Sequence, residues 1–185
     1  MAINEIKFCG RGGQGVVMAS QMLGLAFFKA GMYPQCYPVF GGERRGAPVV
    51  SFLRVDKEKI LLKCDIKQAD ELLYFDTTLI NVEEIRGLMR PAGRILLSTS
   101  KPVSDLEGIS EHTLGLVDAA AISRKLGLGH VINTAILGAY CRFSNLLSMD
   151  NLISAIEEMV PAKREENMEA ARQGYGELII TNKEG

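Results

Sequence analysis

Cys9-Gly10-Arg11-Gly12-Gly13-Gln14-Gly15 joins two apolar stretches of different period. Before it, Ile3 to Cys9 carries Ile3, Ile6 and Phe8 and reads as a short buried strand. After it, Val16 to Ala30 places Val16, Ala19, Leu23, Ala26, Phe27 and Ala30 at helical spacing. A strand that turns into a helix through glycines aims bare backbone N–H groups and the positive end of the helix dipole at one point, a ready site for an anion, usually a phosphate. Gly10, Gly12 and Gly15 satisfy G-x-G-x-x-G, with Gly13 as an extra. The same glycines would equally serve to let helix and strand pack closely, and at this point both readings stand.

A dinucleotide site makes a further demand. For NAD, an acidic side chain about 20 residues on, at the end of the second strand, holds the ribose hydroxyl. After Glu5 the next acid is Glu43, whereas the second strand is expected to end near Gln35 to Tyr37. Arg44 and Arg45 lie too far along to serve an NADP variant. NAD and NADP are therefore disfavoured.

The 185 residues suffice for one α/β domain with a substantial core, expected to span 1–185. A net charge of -1 offers no electrostatic reason to expect nucleic acid or an anionic membrane as partner. No apolar run approaches membrane-spanning length. Met-Ala-Ile-Asn-Glu lacks the layout of a signal peptide, so the chain reads as cytoplasmic. Cys9, Cys36, Cys64 and Cys141 are scattered, with no C-x-x-C pair. An iron–sulfur cluster or zinc ribbon needs closely spaced thiolates, so no metal is expected on this chain and each cysteine reads as a small buried or half-buried apolar residue.

Along the chain, Met32 to Tyr37 reads as a second strand, followed by a long shaped loop from Tyr37 to Pro48. Val49 to Val55 reads as a strand paired in a hairpin with Ile60-Leu61-Leu62 across Asp56-Lys57-Glu58-Lys59. Further strands are expected at Glu71 to Phe75, Arg94 to Thr99 and His112 to Val117. Helices are expected from Asn81 to Met89, where Pro91 and Gly93 stop it, from Asp118 to Leu126 and from Val131 to Leu147. Two more run from a cap at Ser148 or Asp150 to Met159, and from Pro161 to about Tyr175. Glu157-Glu158 and Lys163-Arg164-Glu165-Glu166 offer opposite charges at i,i+4, a solvated helix face. This order predicts a three-layer α/β/α domain with a mixed, mostly parallel sheet and a glycine-rich strand-to-helix turn.

No active site stands out. There is no G-x-S-x-G elbow, and His112 and His130 have no nearby nucleophile, so no catalytic residue is expected. The site-like material is confined to Gly10–Gly15 and to Tyr37-Pro38-Val39-Phe40-Gly41-Gly42-Glu43-Arg44-Arg45-Gly46-Ala47-Pro48. Both are expected beyond the carboxyl ends of neighbouring strands, where open sheets bind ligands. Candidate ligand-binding residues are Gly10, Gly12, Gly13, Gln14, Gly15, Arg44 and Arg45, with Phe40, Glu43 and Gly46 as candidate contact surface.

Together these two loops resemble the gamma subunit of 2-oxoacid:ferredoxin oxidoreductases, which appears as an internal domain of single-chain pyruvate:ferredoxin oxidoreductases. The likeness continues through Lys67-Gln68-Ala69-Asp70, Leu88-Met89-Arg90-Pro91-Ala92-Gly93, Val131-Ile132-Asn133-Thr134 and Gly174-Tyr175. It implies a multi-subunit enzyme that oxidatively decarboxylates a 2-oxoacid to an acyl-CoA, using thiamine diphosphate with Mg and [4Fe-4S] clusters, with electrons passing to ferredoxin or a flavodoxin. It also implies a chain that holds none of those groups, completes the assembly, closes over the active site and can contribute to coenzyme A binding. Glu43-Arg44-Arg45-Gly46-Ala47-Pro48 looks more like the pyruvate-type or general 2-oxoacid enzymes than the indolepyruvate relatives. The competing expectation is a free-standing nucleotide- or phosphate-binding α/β protein.

Overall fold

The computed structural model describes residues 3–39, 45–106 and 108–181. Apolar residues alternate along Asn4–Arg11 (β1), and this strand leads through the glycine turn into Val16–Lys29 (α1) and then Tyr33–Val39 (β2). Pro48–Asp56 (β3), Ala69–Tyr74 (β4), Val82–Leu88 (α2), Met89–Ser98 (β5) and Thr113–Val117 (β6) follow. The chain then becomes helical: Ala119–Lys125 (α3), Asn133–Ser144 (α4), Met149–Met159 (α5) and Arg164–Glu177 (α6), before Ile179–Thr181 (β7). The sheet is ordered β2-β3-β1-β4-β5-β6-β7. β1 pairs parallel with β4, β4 with β5 and β5 with β6, while β3 and β7 are antiparallel to their neighbours. The sheet is mixed, and five strands share one direction.

Helix starts follow their capping residues. Asp118 accepts the N–H of Ala121 (2.8 Å), Ser148 that of Asn151 (3.3 Å) and Asn81 that of Glu84 (3.2 Å). Helices flank the sheet unequally. One face, with Ile6, Phe8, Leu53, Leu73 and Leu96, shares a core with residues of α1, α3, α4, α5 and α6. The other, with Cys9, Leu72, Tyr74, Ile95 and Leu97, is met by α2 and by residues of connecting segments such as Ile66, Leu106 and Ile109.

Several expectations need correction. Ile60-Leu61-Leu62 is not a strand, and Leu61 is 79% exposed. β3 pairs instead with β2 and β1, because the central position buries both of its faces. Tyr37 to Val39 belong to β2 and Pro48 to β3, rather than to the loop expected from Tyr37 to Pro48. β5 starts at Met89, so Pro91, Ala92 and Gly93 fall inside it, at a register shift that puts Ala92 at φ 66°. β7 was too short to signal itself. The charges near the carboxyl end do not form the expected i,i+4 pairs: Glu158 meets Lys29 of α1 at 2.8 Å, and Lys163 donates to the Gly127 carbonyl. Cys9 and Cys141 are buried and Cys36 half-buried, but Cys64 is exposed.

Candidate functional site

Two crossovers leave β1 and β4 as neighbours whose connections run to opposite sides of the sheet, the arrangement that opens a crevice beyond the strand ends. The glycine turn sits there. Gly15 caps α1 in the left-handed region (φ 81°), Gly13 has φ 99°, and side chains rarely adopt either conformation. Gly10 and Gly15 also lack room: a Cβ on Gly10 would stand 2.6 Å from Val16 Cγ2, and one on Gly15 would stand 2.7 Å from Asn133 Nδ2. Packing thus explains Gly10, and packing with conformation explains Gly15.

Gln14 and Gly12 are occupied within the turn. Gln14 Oε1 accepts the Arg11 N–H (2.7 Å), and its Nε2 donates to the Phe75 carbonyl (3.3 Å) at the end of β4. Gly12 N–H donates to Ala47 O (2.9 Å), and Gly46 N–H donates to Gly12 O (3.1 Å). This reciprocal pair stitches the segment entering β3 onto the turn. Arg11 completes the joint: Nε meets Asp76 Oδ2 at 2.7 Å, Nη2 donates to Thr78 Oγ1 at 2.8 Å and Nη1 to Gly46 O at 3.1 Å. Burial alone would raise the Asp76 carboxyl, but bonds from the Thr78 hydroxyl and N–H and from Arg11 outweigh it and hold the group below its ordinary range.

What remains free is the helix start. The N–H groups of Gly13, Gly15, Val16, Val17 and Met18 have no acceptor among the described residues. The same residues, with Arg11, Gly12, Arg45 and Val49, wall an open depression of about 350 Å³. Donors, dipole and the Arg45 side chain therefore adjoin one space, suited to an anion. Of the residues singled out from sequence, Gly13, Gly15 and Arg45 come together at this wall. Gly12 lines it too, Gly10 and Gln14 shape the turn behind it, and Gly46 is exposed and tied to the turn. Phe40, Glu43 and Arg44 lie outside the described residues. Arg11, Asp76, Thr78 and Asn133 were missed as site builders, because the partners that give them their roles, such as Arg11 for Asp76 and Gly15 for Asn133, stand 65 or more positions away in the chain.

No three His, Cys, Asp or Glu side chains converge as a metal site among the described residues. Cys9 and Cys141 lie in separate cores on opposite faces of the sheet, and burial pushes their thiols up to about 11 and about 12. No described helix is long and apolar enough to cross a membrane.

Residues 5–177 match the family model described as pyruvate ferredoxin/flavodoxin oxidoreductase. The chain is 37% identical over 177 residues to pyruvate synthase subunit PorC of Methanothermobacter thermautotrophicus, covering 94% of this chain and 95% of that one. It is 39% identical over 181 residues to the gamma subunit of an NADH-dependent phenylglyoxylate dehydrogenase of Aromatoleum evansii, covering 95% and 94%. The crystal structure of pyruvate oxidoreductase subunit PORC from Thermotoga maritima superposes with a TM-score of 0.84 at 29% identity, over 98% of this chain and 100% of the other. The chain accordingly belongs to the pyruvate ferredoxin/flavodoxin oxidoreductase family, as a gamma subunit of the 2-oxoacid:ferredoxin oxidoreductase type.

Proposed function

We propose that this gamma subunit completes a multi-subunit enzyme that converts a 2-oxoacid to an acyl-CoA, with electrons leaving through ferredoxin or a flavodoxin, and that its glycine turn receives a phosphate of coenzyme A. The observation that carries the second half is the depression where the unpaired N–H groups of Gly13, Gly15, Val16, Val17 and Met18 adjoin Arg45. Arg11 is already committed to Asp76, which leaves Arg45, among the described residues, as the cation at this depression able to meet an incoming anion. Thiamine diphosphate, Mg and [4Fe-4S] clusters belong to other chains in this reading. The scattered cysteines of this one, with no C-x-x-C pair, support that division. The subunit orients a substrate phosphate and closes the rim, and it moves no proton or electron itself.

Arg45→Ala, alone and combined with Arg44→Ala, tests the assignment in the assembled complex. The KM for coenzyme A is expected to rise about tenfold with assembly intact, the loss of one charge-assisted contact. An unchanged KM would remove the turn and Arg45 from that role.

A further inference from the structure

The inner face of α1 packs on the sheet and on α5, while its outer face carries Met18, Gln21, Leu25 and Phe28. These fall at i, i+3, i+7 and i+10, one stripe of about 15 Å along the helix. Met18, Gln21 and Phe28 are exposed, Phe28 to 63%, and Leu25 is half-buried. The only charged residue of this helix, Lys29, is held by Glu158 of α5 at 2.8 Å. Other helices of the same layer turn charge outward: Asp150, Glu157 and Glu158 on α5, Arg124 and Lys125 on α3. An amphipathic surface helix is built in that way, whereas an outer face without charge marks a helix that is covered in its working state.

The stripe runs directly into the depression at the glycine turn. Val16, Val17 and Met18 wall that depression, and Met18 is also the first member of the stripe. A coenzyme A whose phosphate rests at the turn has to reach a thiamine diphosphate held by other polypeptide, and that polypeptide must approach across this rim. A second copy of this chain seated there would instead close the depression with a partner that brings no reacting group.

Resting on the turn as the coenzyme A site, we infer that the outer face of α1 from Met18 to Phe28 is the docking surface for the thiamine-holding part of the enzyme, which meets it with an uncharged, apolar patch. Charge is what such a contact excludes, since an ion placed in it loses water and gains no partner. Gln21, the one polar side chain of the stripe, calls for a hydrogen-bonding group opposite it.

The test is assembly, read apart from activity. The complex is captured through a tag on a thiamine-holding chain, and the share of this subunit retained after dilution is measured. Gln21→Lys with Phe28→Lys is expected to cut retention about tenfold or more, because two charges would have to be buried unpaired. Phe28→Leu keeps the patch apolar and is expected to stay within about twofold. Both positions are exposed and lysine is a good helix former, so circular dichroism of the double variant is expected to match the parent chain. Retention unchanged within about twofold in the double Lys variant overturns the docking surface. A photoreactive phenylalanine analogue in place of Phe28, in the assembled complex, is expected to cross-link to a thiamine-holding chain, and this readout stands even where a lysine variant fails to fold. Cross-links only to a second copy, or only to a chain without thiamine diphosphate, overturn the assignment. An unchanged coenzyme A KM in Arg45→Ala would fail the reading of the turn without moving either readout, so the two failures are told apart.

Discussion

On one face of the sheet, Ile6, Phe8, Leu53, Leu73 and Leu96 pack among residues of five helices; on the other, Glu5, Lys7, Arg54 and Arg90 occupy neighbouring strands near a single short one. The helical face is limited mainly by space, with one buried charge, Glu71, held by the Tyr140 hydroxyl at 2.6 Å and by Arg94. Gly138 of α4 and Gly174 of α6 face each other so closely that a Cβ on the first would meet the Ala171 carbonyl and one on the second the Ala135 carbonyl. The opposite face is limited by charge. Arg54, 1% exposed, donates to Glu5 at 2.7 Å and to Gln35 at 3.1 Å, and Glu5 also pairs with Arg90, which reaches Asp70 at 2.8 Å. Lys7 pairs with Glu84 of α2. A buried ion needs all its partners, whereas a buried methyl needs only room. Strand alternation lets one sheet satisfy both demands.

The contrast can be broken most sharply at Arg54. Arg54→Ala leaves the buried Glu5 carboxylate to Arg90 alone and is expected to cost about 2–3 kcal/mol in urea unfolding, of which Glu5→Gln in the same chain recovers a part. A loss below about 1 kcal/mol would mean that water reaches the pair and that this face behaves as surface. On the helical face, Gly138→Ala gains about 1 kcal/mol of helix propensity but drives a methyl into a backbone carbonyl that cannot swing aside. The net expectation is a loss of about 2 kcal/mol, read as a lower Tm, and a higher Tm would show that α4 and α6 can part. The smallest effect belongs to the rim where the faces meet. The carboxyl of Asp76 is lowered, so the stability it contributes is present above the ordinary carboxylate value of about 3.9 and is lost as pH falls through its own lower value. Asp76→Asn should flatten that acid limb and cost under about 1 kcal/mol at neutral pH, since the ion pair to Arg11 is partly solvated.

The sequence made the helical face legible and the charged face nearly illegible. Val16, Ala19, Leu23 and Phe27 announce α1 by spacing, and Asp118 and Ser148 announce the helices they cap, because these signals are local. Glu5 and Arg54 stand 49 positions apart, and each alone reads as a solvated side chain until β1 and β3 pair. The same reason explains Ile60-Leu61-Leu62: an apolar run beside a turn resembles a hairpin arm, but β3 was already paired on both edges. The glycine turn was found because its glycines lie close together in the sequence. Its division into donors and struts was not, because Phe75, Asn133 and Ala47 decide which N–H groups stay free.

The join between Gly12 and the Gly46–Ala47 segment rests on two main-chain hydrogen bonds, with one from the Arg11 guanidinium beside them. Side chains there can be exchanged to suit a different 2-oxoacid or neighbouring polypeptide while the hinge line stays put. A change that deletes an amide hydrogen, such as proline at position 12 or 46, would unzip it.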